Sequence, residues 1–132
     1  MGLGEYLERE AKRPWTWGSA DCCTFAADWV LSETGHDPMA QWRDYSTEAD
    51  AELLIAEAGG LEAMWSEGLA PVMSRVDTPS LGSVGLILVP DQFGEIIQIG
   101  AIYSGRRWVF RTPRGIAGAS IDPASVVAVW GR

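Results

Sequence analysis

WTWGSADCCTF, residues 15–25, is the stretch on which the fold turns. Trp15 to Ala20 forms an extended lead-in with Gly18 as its turn point, and Asp21 then precedes two adjacent cysteines. Behind them Phe25, Ala26, Trp29 and Val30 recur at helical spacing, so a helix begins near Asp21, and Gly35 closes it as a C-cap. Asp21 is the residue type that caps a helix, its carboxylate accepting from the free N–H groups of the first turn. Cys22 follows directly, where those N–H groups and the helix macrodipole favour a thiolate. Cys23 lies about 100° further round and faces elsewhere. If one cysteine does chemistry it is Cys22. The plainer alternative is that both are small buried hydrophobes.

Other uses of the pair fail on geometry. A vicinal disulfide needs a strained ring that helical backbone does not readily accommodate. Two cysteines and the chain's single histidine, His36, fall short of the usual four zinc ligands, and no metal or cofactor is expected. Free thiols point to a reducing compartment.

The 132 residues suffice for one domain, residues 1–132, with a substantial core. Hydrophobic content of 47% against 21% charged residues is a globular composition. No apolar run approaches the roughly 18–20 residues of a membrane span. The first residues, MGLGEYLEREAKRP, lack the apolar stretch and cleavage site of a signal peptide, so synthesis in the cytoplasm without export by that route is expected. A net charge of −8 argues against nucleic acid as a partner. Arg106, Arg107, Arg111 and Arg114 form a small basic patch, too short to reverse that balance. The seven tryptophans are expected mainly to pack, with a minority left for ligand or partner contact.

Along the chain, Leu3, Tyr6, Leu7 and Ala11 follow helical spacing until Arg13-Pro14. Pro38 opens a short helical turn through Met39 and Trp42. Ser46 or Thr47 caps a third helix, which Gly59-Gly60 stops. Leu61 to Glu67 is one more short helix. From Leu81 the pattern changes. Val84 to Val89 is a continuous apolar run, hence a buried strand. Asp91 to Gly94 is a turn, Glu95 to Tyr103 the next strand, Ser104-Gly105-Arg106 a tight hairpin, and Trp108 to Thr112 a third strand. Pro113 to Gly118 reads as loop and Ser125 to Trp130 as the terminal strand. The expectation is α+β: helices over about 1–70, packed on a meandering antiparallel sheet of about four to five strands over about 81–131.

The opening stretch also resembles the Y-x-W/F-G-G…DCSGF signature of NlpC-type cell-wall endopeptidases, which are papain-like cysteine hydrolases. Here Trp15-Thr16-Trp17-Gly18 and Asp21-Cys22-Cys23-Thr24-Phe25 carry it. Leu81-Gly82-Ser83-Val84-Gly85 looks like that family's GD turn, with Ser83 for the aspartate. Gln98-Ile99-Gly100-Ala101-Ile102 looks like its H-V-G-I segment, and Trp108 to Thr112 like its next strand. The resemblance covers roughly residues 13 to 116, and residues 40–80 have no counterpart in it. It implies a papain-like fold with Cys22 as the candidate nucleophile, Gln98 where the general-base histidine belongs, and Arg111 at the third polar position. Glutamine takes up no proton at neutral pH, and arginine is always charged. His36 lies at the far end of the helix from Cys22, about 20 Å away at 1.5 Å per residue. Arg111 held near Cys22 would stabilise a thiolate, and Asp91 or Glu95 would be the remaining carboxylate bases.

The wider pattern, with Asp28-Trp29-Val30 and Thr34-Gly35-His36-Asp37-Pro38, is similar to small proteins encoded in phages and prophages beside tail-tip and baseplate genes. That likeness implies a virion protein of the tail, assembled in the bacterial cytoplasm, with other tail or baseplate proteins as partners. Three readings follow. The first is a structural or assembly component with a degenerate, inactive NlpC-like fold. The second is an active peptidoglycan endopeptidase using Cys22. The third is a non-catalytic module whose cleft grips a peptide or glycan with Arg111 and tryptophans.

Overall fold

A computed structural model describes residues 1–132. Four helices come first: α1 (Leu3–Ala11), α2 (Cys22–Thr34), α3 (Glu48–Glu57) and α4 (Leu61–Leu69). Six strands follow: β1 (Ser74–Arg75), β2 (Val84–Pro90), β3 (Ile96–Tyr103), β4 (Trp108–Thr112), β5 (Gly115–Ala119) and β6 (Val126–Gly131). They form one sheet in the order β1-β6-β2-β3-β4-β5, antiparallel at every pairing. The α+β expectation holds.

The helix ends obey local chemistry. Gly35 closes α2 in the left-handed conformation at φ 77° and returns its N–H to Leu31. The Thr47 hydroxyl accepts from the Asp50 N–H at the start of α3. At its end Gly59 N–H reaches the Ala56 carbonyl and Gly60 N–H the Ile55 carbonyl, the paired bonds of a Schellman stop.

The sheet departs from expectation in three places. It has six strands rather than four or five. The segment expected as loop, Pro113 to Gly118, holds all but the last residue of β5, which pairs with β4 from Thr112–Gly115 to Trp108–Ala119. Its sequence, GIAGA, carries one β-branched residue, so β propensity gives almost no signal. The hairpin is instead closed by the Thr112 hydroxyl donating to the Gly115 carbonyl. The sheet is also no simple meander: β2 to β5 follow in order, but β6 returns to lie between β1 and β2. That insertion makes β2 an interior strand, which is why Val84 to Val89 is apolar on both faces. Pro38 to Trp42 makes the short turn expected, with i→i+3 bonds from the Ala40 N–H to the Asp37 carbonyl and from the Trp42 N–H to the Met39 carbonyl, and extends into no longer helix.

The two faces of the sheet hold separate cores. Val84, Leu86, Ile102, Val109, Ala128 and Trp130 pack with Tyr6, Phe25, Trp29, Val30, Met64, Trp65 and Leu69 of the helices. Ile87, Val89, Ile99, Ala101, Trp108, Phe110 and Val129 face the other way. Of the helices only Cys22, at the start of α2, reaches that second cluster; Ala117 and Ala119 of β5, with Ile121 from the connection to β6, pack against it. Two glycines admit the large rings. A Cβ on Gly85 would stand 2.6 Å from the Trp108 ring, and one on Gly100 would stand 2.5 Å from the Trp65 ring, on the opposite face.

Candidate functional site

Asp21 organises the segment around the cysteines. It is 1% exposed, and its side chain accepts four hydrogen bonds. Oδ1 takes the N–H groups of Cys23 and Thr24, both at 2.9 Å. Oδ2 takes the Gly18 N–H at 2.9 Å and the Tyr45 hydroxyl. Thr24 completes a capping box by accepting from the Asp21 N–H at 2.8 Å. The cap expected of Asp21 is present. Asp21-x-x-Thr24 was the available signal for the box, and the tie to Tyr45, 24 residues away, had none. Gly18, at φ 88°, lets the 43–45 segment close over this turn: a Cβ there would lie 2.1 Å from the Tyr45 carbonyl oxygen. Burial first, and then the bond to the Asp21 carboxylate, push the Tyr45 phenol well above its ordinary pKa, so it remains a donor.

Cys22 is the first residue of α2 and is partly exposed; Cys23 is buried. A hydrogen bond with Cys22, and then burial, raise the Cys23 thiol well above its usual range. The two cysteines thus divide as their helical positions require. Cys22 packs against the edges of both cores. Its carbonyl oxygen would be 3.1 Å from a Cβ on Gly100, so the start of α2 sits on β3 at that glycine. Gln98, two residues along, lies on the same face of the strand by the period-2 rule and is half-buried. The β3 position two residues from the Gly100 contact therefore carries a side chain unable to accept a proton.

Replacing Gly100 by alanine is expected to destabilise the protein by about 1–3 kcal/mol, the usual cost of overpacking. A strand glycine exchanged for alanine at an open site would gain about 0.5–1 kcal/mol from backbone entropy instead. The urea midpoint of Gly100→Ala decides the sign.

Arg111 does not serve a cleft. It is 2% exposed, and Nη2 donates to the Glu10 carboxylate at 3.0 Å and to the Glu10 carbonyl at 2.9 Å. Its guanidinium carbon lies 5.4 Å from the centre of the Phe25 ring. The expectation that Arg111 would hold a thiolate or grip a ligand is corrected: the guanidinium is committed to Glu10 of α1, a buried carboxylate that helical periodicity did not single out. Arg9 and Arg13 pair with the same carboxylate, at 3.2 and 2.9 Å.

His36 is held by the Gly68 carbonyl at 2.9 Å and ties the end of α2 to α4. The 13 residues of α2 run unbroken between it and Cys22, so it stays about 20 Å away. Asp91 accepts from the N–H groups of Phe93 and Glu95 and shapes the β2–β3 turn, with Glu95 exposed beside it. The other motif residues also have scaffold tasks. Trp29 Nε1 donates to the Gly82 carbonyl. Arg43 joins Asp28 and Asp37, each at 2.7 Å. Burial raises the Asp28 carboxyl despite Arg43. At Asp37 burial also pushes upward, but the hydrogen bonds from Arg43 and the Met39 N–H outweigh it and leave the carboxyl below its ordinary value.

The space between α2 and α4, lined by Ala27, Met39, Met64 and Trp65, amounts to about 10 Å³. It is apolar and at the lower limit for one water, a packing gap rather than a ligand cavity. No group of three or more His, Cys, Asp or Glu side chains is arranged to hold a metal ion, and no helix is long and apolar enough to cross a membrane.

No curated protein and no solved structure matches this chain. Residues 2–131 match the family model described as Domain of unknown function (DUF6950), and the chain belongs to that family.

Proposed function

We propose that this protein is a structural or assembly component of a bacteriophage tail tip or baseplate, built on an NlpC-type, papain-like scaffold that has lost catalysis. It would work in the virion tail after assembly in the bacterial cytoplasm. The observation that carries the loss of catalysis is that Cys22 opens a capped helix packed on β3 at Gly100, while the same face of that strand offers Gln98 and the single histidine, His36, is held by Gly68 at the other end of α2. A cysteine hydrolase needs a base within hydrogen-bond reach of its thiol, or one water away, and later a proton for the leaving amine. Gln98 supplies neither, Arg111 is buried against Glu10, and His36 is at the other end of α2. The tail assignment is supported by the motif likeness of residues 15–38 to small tail-module proteins. Within them Asp21 ties Gly18 and Tyr45 to the start of α2, Asp28 and Asp37 share Arg43, and Trp29 reaches the Gly82 carbonyl, as a retained scaffold does.

Mass spectrometry of purified virions is expected to find this chain; its absence from them would refute the structural reading and narrow any tail role to an assembly chaperone. On a peptidoglycan gel the protein is expected to leave no digestion band. A band lost on Cys22→Ser, with the fold intact, would establish the active endopeptidase instead. Native iodoacetamide treatment is expected to label Cys22 and spare Cys23, with both labelled in urea. Protection of Cys22 would mean that the start of α2 is closed to solvent.

A further inference from the structure

On the sheet face without helices, the 75–79 segment, the β3–β4 hairpin and the 120–129 segment enclose an open groove of about 610 Å³. That volume lies within the range of specific ligand sites. Arg75, Arg106 and Arg107 line it, and Asp77 is its one carboxylate. Cations thus outnumber anions here, in a chain whose net charge is −8. Arg75 is partly engaged: it pairs with Glu62 at 3.2 Å and lies 5.2 Å from the Trp130 ring centre. Arg106 and Arg107 are exposed and take part in no ion pair, the salt bridges of the chain belonging to Arg9, Arg13, Arg43, Arg75 and Arg111.

The two free arginines stand on a fixed support. Ser104 N–H donates to the Arg107 carbonyl at 2.9 Å, the Ser104 hydroxyl donates to the same carbonyl at 3.1 Å, and the Arg107 N–H donates back to that hydroxyl. Gly105, at φ 94°, makes the turn. Beneath it Tyr103 and Trp108 meet edge to face at 5.1 Å. A rigid hairpin reduces the ordering cost of binding. Guanidinium groups suit carboxylates, which they engage through paired N–H bonds. Ile121, Val126 and Val127 add apolar lining to the groove.

We propose that this groove binds an acidic peptide segment of a partner protein, its carboxylates on Arg106 and Arg107 and its intervening apolar side chains against Ile121 and Tyr103. The commitment to an acidic partner rests on charge complementarity. A chain of this net charge repels acidic segments over most of its surface, so an acidic partner docks where the unpaired guanidinium groups are. This inference goes beyond the tail reading and does not depend on it.

The test is fluorescence anisotropy with two labelled peptides, one alternating glutamate and leucine, the other with lysine in place of glutamate. The glutamate peptide is expected to bind, weaken with added salt, and lose at least about ten-fold in affinity to the double variant Arg106→Ala, Arg107→Ala. Arg114→Ala, on the β4–β5 turn, is expected to change affinity less than about two-fold, in line with the small effect of an exposed charge away from the contact. Circular dichroism confirms that the variants fold. Equal binding of both peptides, or an unchanged affinity in the double variant, overturns the proposal. Displacement by equimolar inorganic phosphate would reduce the groove to a simple anion site and overturn it too. Self-association in sedimentation that the double variant abolishes would show that a second copy is the occupant and refute the peptide assignment. The assay uses no virion, so its failure and that of the tail reading are separable.

Discussion

Asp21→Ala is expected to cost about 3–5 kcal/mol, a large fraction of the stability of a domain this size. The substitution leaves the N–H groups of Gly18, Cys23 and Thr24 and the Tyr45 hydroxyl without their acceptor, in a place that is 1% exposed. Loss of a helix cap accounts for about 1–2 kcal/mol, and each additional buried donor left unpaired adds about 1–3 kcal/mol before local relaxation. Asp21→Asn separates the contributions. Its remaining oxygen still caps Cys23 and Thr24, but the amide nitrogen cannot accept from Gly18, so about 1–2 kcal/mol is expected. Tyr45→Phe removes one donor and its share of the acceptor, at about 1 kcal/mol. Urea unfolding of the three variants checks the ranking Ala, Asn, Phe. An alanine variant within 1 kcal/mol of wild type would mean that water replaces the carboxylate, and the idea that Asp21 joins three segments would fail. The same variant reports on the cysteine: once the first turn frays, Cys23 is expected to become reactive to iodoacetamide alongside Cys22.

The parts of this molecule that were legible in the sequence are those fixed by short-range chemistry. Asp21 before an apolar helical stripe, Gly35 after it, and Gly59-Gly60 at the end of α3 each solve a local hydrogen-bond problem, and each stands where its residue type requires. Val84 to Val89 announced a strand buried on both faces, though not that β6 would be the neighbour making it so. Strand β5 was hidden because its small residues carry little β propensity: Gly115 has φ 128°, and only the methyl groups of Ala117 and Ala119 pack on the outer core. The cysteines were read correctly relative to each other, since Cys22 is partly exposed and Cys23 buried. Arg111 was misread because its partner lies 101 residues earlier. Long-range ion pairs leave no periodicity, and α1 shows Glu10 as one of several acids on a short charged helix. The groove over the bare sheet face was equally hidden, because its arginines are brought together with Arg75 only by the placement of β1 and β6.

The Glu10–Arg111 pair yields the other large effect, and with it a distinction between a structural and a chemical role for Arg111. Both side chains are essentially free of solvent, at 0% and 1% exposure. Removing one member of such a pair costs about 3–5 kcal/mol, because it strands the other charge. The two single variants should differ. In Arg111→Met, Glu10 keeps Arg13 at 2.9 Å and Arg9 at 3.2 Å, both reaching it from the surface. In Glu10→Met, Arg111 loses its counter-ion and keeps only the Glu10 backbone carbonyl as an acceptor, while its Nε and Nη1 already have no hydrogen-bond partner. Glu10→Met is therefore expected at the upper end of the range and Arg111→Met at or below the lower end. The double variant, with two apolar chains of similar volume against Phe25, is expected to recover most of the loss, since replacing a buried ion pair as a unit is often neutral or stabilising by about 1–4 kcal/mol. A double-mutant cycle in urea measures the coupling. Additive losses would mean that the two residues act separately, leaving Arg111 available for the site at Cys22 after all. Recovery of stability in the double variant, with the iodoacetamide rate of Cys22 unchanged, would assign Arg111 to the architecture alone. On this chain the β4 position would then serve to anchor α1 to the sheet.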